Sequence, residues 1–223
     1  MKFKFCKKNA VFLQIIGSVF YIILIFSAMI FYTGGTQDNP SIPGYSFWAN
    51  TLSDSGRTIA YSGVPNIISM VIFSAALIIY AILFIPFYLK ISDLFKESKS
   101  EKNFSKIGTI LGIVSSITFI GIAFTPADIL IGPHMLFVYI GYASIFFNAI
   151  CYSIAMYMNK DFPKIYAIIL IVFGLLYFIT LLMGLIGLAS DRNLMVIGQK
   201  IGRFASLGTF FILAYGIWKF EKS

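Results

Sequence analysis

Six long apolar runs separated by short polar punctuation dominate the chain, at about 10–33, 64–89, 105–124, 135–158, 164–188 and 196–218. Each holds roughly 20 residues or more, enough at 1.5 Å per residue to cross about 30 Å of hydrocarbon. A backbone in lipid must satisfy its own hydrogen bonds, so the runs predict helices, and the alternation of a barrel strand is absent. The predicted fold is all-α: a single transmembrane domain over 1–223, a polytopic bundle of about six helices. The run from Ala10 to Tyr32 is too long for the apolar core of a signal peptide, and no clear A-x-A cleavage site follows it. It is read as the first span.

Composition supports a lipid solvent. The chain is 59% hydrophobic and 12% charged, with mean hydropathy +0.88, against roughly 25% charged in a soluble domain. The net charge of +8 would suit nucleic acid only if the basic residues formed one stripe. Instead 13 of the 17 fall in alternate connections: Lys2, Lys4, Lys7 and Lys8; Lys90, Lys96, Lys99, Lys102 and Lys106; Lys160 and Lys164; Lys219 and Lys222. That asymmetry predicts N-in/C-in topology in the cell membrane, both termini cytoplasmic. Only Arg57, Arg192, Lys200 and Arg203 are left for the outer side. The sequon Asn103-Phe104-Ser105 then lies in a cytoplasmic loop, where it stays unmodified. Cys6 and Cys151 are too few for a disulfide framework; Cys6 reads as a free cytoplasmic thiol or a palmitoylation site, and Cys151 as a small apolar residue in a span.

The outer connection 34–63 is long, rich in Gly and Pro, and carries Tyr45, Phe47 and Trp48. Loops of this length are often functional, and the aromatics predict that it folds back over the helix ends at headgroup level. Gly108/Gly112 and Gly198/Gly202 have the spacing that allows close helix approach.

No Asp, Glu, Lys or Arg is expected near the middle of a span, which weakens an ion-coupled transporter. Polar candidates gather at the outer helix ends instead: Asn50, Ser53, Asp54 and Arg57 in the long loop, Asp128 and His134 around the third connection, Lys200 and Arg203 on the last span. Asp54 among its serines reads either as a turn cap or as a partner for Arg203 or Lys200, or a general base. Arg203 reads as a snorkelling or ion-paired cation, or as a fork for an anionic headgroup. His134 is the single histidine, a structural hydrogen-bonding residue or one oriented by Asp128. Neither a metal spacing nor the G-x-S-x-G of a hydrolase is present, and no cofactor is implied.

The tract Asn50-Thr51-Leu52-Ser53-Asp54-Ser55-Gly56, with Thr125-Pro126-Ala127-Asp128 and His134, resembles an uncharacterised family of six-helix prokaryotic membrane proteins, loosely similar to the Frag/DRAM/Sfk membrane proteins. The resemblance implies six helices and an association with lipid handling. The expectation is therefore a membrane protein whose outer polar site binds or remodels a lipid or amphipathic anion, with Asp54, Asp128 and His134 as candidates if chemistry occurs. A transporter or channel built on Asn66 and Asn148, and a structural or assembly role, are the alternatives; a membrane-embedded lipid hydrolase or transferase is the enzymatic variant. The expected partners are membrane lipids and not nucleic acid, with homo-oligomerisation or a membrane partner left open.

Overall fold

The computed structural model describes residues 9–222, so Cys6 and the first four lysines lie outside the described residues. Among the described residues, six helices are long and apolar enough to cross a membrane: α1 Ala10–Ile30, α2 Ile67–Leu94, α3 Lys99–Ala123, α4 Ile131–Met158, α5 Lys164–Ala189 and α6 Arg192–Phe220. The chain is an integral, multi-pass membrane protein. Each helix packs on the next, and α1 touches α6 to close the bundle. Large apolar side chains such as Phe12, Ile110, Val172 and Leu175 face outward at about 60% exposure, a surface that only lipid tails solvate without cost.

Local chemistry sets several boundaries. Ser98 and Glu101 form a reciprocal capping box that starts α3. The lysine-rich 90–106 segment is consequently mostly helix: the end of α2, a short break, and the first turns of α3. Asp191 caps α6 by accepting from the Asn193 amide at 2.9 Å. This cap starts α6 at Arg192, four residues before the apolar pattern begins.

The bundle axis is filled with aromatic rings. Phe210 of α6 lies edge-on to Phe84, Phe87 and Tyr88 of α2 and to Phe173 of α5, with centroids 5.4–6.2 Å apart. Gly108 and Gly112 are notches for rings: a Cβ on either would lie 2.6 Å from Tyr152 or Tyr88. Gly198 and Gly202 instead seat α6 on α5, where added Cβ atoms would come within 2.8 Å of Met183 and Thr180.

Lys90, Lys96, Lys99, Lys102, Lys106, Lys160, Lys164, Lys219 and Lys222 share one end of the bundle, and Arg57 and Arg192 the other. At that second end, residues 31–66 fold over the helices as the loop pattern predicts. Gly35 adopts φ 83° and meets the 61–62 backbone, where a Cβ would lie 2.4 Å from the Ser62 nitrogen, so a side chain is excluded on both counts. Trp48 remains 70% exposed beside Phe47.

Candidate functional site

The folded loop is held down by its own polar residues. Thr51 and Asp54 cap the 3-10 turn Leu52–Gly56 reciprocally: the Thr51 hydroxyl accepts from the Asp54 amide, and the Asp54 carboxylate accepts from the Thr51 amide at 2.8 Å. The same carboxylate accepts from Asn50 Nδ2 at 3.2 Å and from Arg192 Nη2 at 2.9 and 3.1 Å. Asp54 is thus buried and fully engaged, which favours the capping reading over a general base. Its cationic partner is Arg192, not Arg203 or Lys200.

Asn50 also donates to the Gly35 carbonyl and accepts from the Ser46 amide. Lys200 reaches the Asn50 carbonyl at 2.5 Å and lies 5.0 Å from the Phe47 ring centroid. Both residues fasten the loop. Asp128 accepts from the Thr58 amide and hydroxyl and from the Ile59 amide. Partial burial opposes ionisation there, but these hydrogen bonds outweigh it and hold the carboxyl below its ordinary range. His134 Nδ1 lies 2.6 Å from the Thr125 carbonyl, which makes that nitrogen the protonated one. Asp128 therefore does not orient His134.

Beneath the loop lies a pocket between α4, α5 and α6, with an empty volume of about 710 Å³ including its open mouth. Ser53, Asp54, Arg57, Tyr61, His134 and Arg192 make its upper, polar part. Ile131, Met135, Val138, Leu181, Gly184 and Met195 line its apolar side. From Ile131 to Tyr142, also in the lining, α4 descends about 16 Å at 1.5 Å per residue. The pocket thus runs from the polar rim down the face of the membrane-spanning helix α4.

The electrostatics of the rim favour an anion. Asp54 is already neutralised by Arg192, while Arg57 stacks 4.0 Å from the Tyr61 ring centroid and donates through Nε to the Ile59 carbonyl. No carboxylate pairs with Arg57 among the described residues. Arg192 Nε is buried and without a hydrogen-bond partner. Burial pushes the Tyr61 hydroxyl up, and the charge of Asp54 adds to that shift, so Tyr61 stays a neutral donor at the rim.

Of the residues expected at a common site, Ser53, Asp54, Arg57 and His134 share this pocket, whereas Asn50, Asp128, Lys200 and Arg203 do not line it. Arg203 is eleven residues into α6, about 16 Å below its start, and only 6% exposed. The expectation of spans without a charge near their middle is overturned here. Because α6 begins at Arg192, its twelfth residue is a buried arginine, not an interfacial one. Asn66 and Asn148 do not line this pocket: Asn66 ties the loop carbonyls of Ser55 and Arg57 to the start of α2, and Asn148 donates to the Gly108 carbonyl.

Sequence reasoning passed over Arg192, Gln199, Tyr142 and the methionines as site residues. A signal was present, because Arg192, Met195 and Gln199 recur at i, i+3, i+7, and Ile131, His134, Met135, Val138 and Tyr142 follow the same face of α4. No family model, curated protein or solved structure matches this chain.

Proposed function

We propose that the chain binds a membrane lipid or a similar amphipathic anion in the pocket under the folded loop, in the leaflet facing away from the cytoplasm. One observation carries the reading: cationic and neutral donors crown a pocket whose side is apolar and descends along α4. A headgroup phosphate or carboxylate would meet Arg57 and the Tyr61 hydroxyl, with Arg57 offering a charge that no carboxylate has consumed. An acyl chain would pass Met135, Val138, Leu181 and Met195, whose methionines adapt to flexible shapes. The clustering of lysines at the opposite end supports the N-in/C-in orientation, and the resemblance of the Asn50–Gly56 tract to an uncharacterised six-helix membrane family, loosely similar to the Frag/DRAM/Sfk proteins with their associations with lipid handling, points the same way.

A binding role is favoured over a catalytic one because Asp54 and Asp128 are saturated by hydrogen bonds. It is favoured over transport because the aromatic rings around Phe210 fill the bundle axis. The test is lipid mass spectrometry of protein purified in mild detergent, comparing the native chain with Arg57→Ala. Co-purifying anionic lipid that falls in the variant supports the reading; equal retention by both chains removes it.

A further inference from the structure

The deeply buried Arg203 lies outside the lipid pocket, and its surroundings are unusual for a cation. Its guanidinium carbon stands 4.3 Å from the Phe119 centroid, 5.2 Å from Tyr21 and 5.7 Å from Tyr80. Ring faces attract the cation, by roughly 2 kcal/mol where water is excluded, but they cannot accept the in-plane N–H bonds. Nε and Nη1 are both buried without a hydrogen-bond partner. The hydroxyls of Tyr21 and Tyr80 are its hydrogen-bonding neighbours, and no ion pair reaches it among the described residues.

Two further buried hydroxyls without a well-formed hydrogen bond lie near it. Ser206 is one turn along the same face of α6, and its Oγ is buried with the Tyr80 hydroxyl as its one polar neighbour, short of a well-formed hydrogen bond. Tyr177 packs against Gly202, where an added Cβ would lie 3.4 Å from its ring, and its hydroxyl also lacks a well-formed hydrogen bond. Four buried polar atoms able to donate, two of them on the guanidinium itself, thus accompany one positive charge that no carboxylate pairs among the described residues. An unpaired buried ion costs several kcal/mol, and each unmet donor adds to that cost. A hydrogen-bonded counter-anion removes both penalties together.

We infer that Arg203, Ser206 and Tyr177 form a binding site for one small monovalent anion of halide size within the membrane-spanning bundle. A single charge matches the single guanidinium, and the packed rings of Phe119, Tyr21 and Tyr80 leave no place for a bulky ligand. The lipid pocket lies one ring away: Tyr142 lines that pocket and stacks on Tyr177 with centroids 4.9 Å apart. None of its three residues lines the lipid pocket, and only Tyr177 borders that lining, through Tyr142 and Thr180.

The experiment is thermal unfolding of the purified chain in detergent, titrating chloride against gluconate at constant ionic strength, with ³⁵Cl NMR line width as a direct binding readout. A saturable chloride-dependent rise in Tm, with matching line broadening, is expected in the native chain and lost in Arg203→Gln. Ser206→Ala and Tyr177→Phe remove one hydroxyl each without removing the charge, and each should weaken chloride affinity about tenfold, equivalent to ~1.4 kcal/mol. Gly184→Leu, in the lipid pocket, should leave chloride affinity unchanged. Equal stability and narrow lines in both salts overturn the site. So does a chloride response that survives in Arg203→Gln or, should that variant not fold, one undiminished in both hydroxyl variants.

Discussion

Arg192 closes on Asp54 through one nitrogen, Nη2, which lies 2.9 and 3.1 Å from the two carboxylate oxygens and joins the first residue of α6 to the 3-10 turn of the long loop. The contact spans 138 residues of sequence. It fixes the roof of the pocket against one of its walls, so the geometry of the rim depends on a pair that is itself not free to bind ligand.

Removing one member should therefore loosen the roof. Asp54→Ala leaves Arg192 uncompensated and the Thr51 and Asn50 donors unmet, at a cost of about 3 kcal/mol for a largely buried pair. The double variant Asp54→Ala/Arg192→Ala should recover part of that loss. Thermal unfolding of the four chains of this cycle reads the coupling, and limited proteolysis should show cleavage within 37–48 only when Asp54 is absent. Additive effects on Tm would mean that the pair does not hold the loop.

Asp128 gives the loop a dependence on pH. Its folded-state pKa lies below the unfolded value of 3.8, so its hydrogen bonds to Thr58 and Ile59 stabilise the fold fully above that value. The contribution disappears as pH falls through the lower, folded pKa. Asp128→Asn should lower Tm by a constant amount at neutral and mildly acidic pH, and the gap to the native chain should close below about pH 4. A gap that stays constant down to pH 3 would contradict the assignment.

Gly184 is the place to fill the pocket without straining the fold, because a Cβ there meets nothing within 4 Å. Gly184→Leu should reduce co-purifying anionic lipid roughly tenfold, a change of ~1.4 kcal/mol in binding, while Tm in lipid-free detergent stays within a degree or two of the native chain. Lipid retention at the native level would show that the ligand lies elsewhere.

Sidedness is tested by labelling single cysteines on intact cells, in a chain with Cys6 and Cys151 replaced by Ser. Ser41 is exposed in the long loop and Lys102 is exposed near the start of α3. Ser41→Cys should react with an impermeant maleimide, and Lys102→Cys only after permeabilisation. The reverse pattern would move the pocket to the cytoplasmic leaflet.

The helices were legible because hydrocarbon imposes a one-dimensional constraint: about 20 apolar residues announce a span wherever they occur. The folding-back of the long loop was legible from its aromatics and glycines. The partners of its polar residues were not. Asp54 could have met any of four cations on chain composition alone, and only the α6 boundary, set by the Asp191 cap, brings Arg192 beneath it. The same four-residue shift converts Arg203 from an interfacial side chain into a buried one. Apolar periodicity blurs where a helix starts in polar residues, so the depth of a charge near that boundary was the least readable quantity in the sequence.

The central claim, an amphipathic anion seated under the loop, is met most directly by photocrosslinking the purified protein with an anionic phospholipid carrying a diazirine on its acyl chain. Labels should concentrate on Met135, Val138, Leu181 and Met195, and excess unlabelled anionic lipid, but not a neutral one, should displace them. Labels confined to outward-facing positions such as Ile168, Ile171 and Val172, indifferent to headgroup charge, would contradict the account.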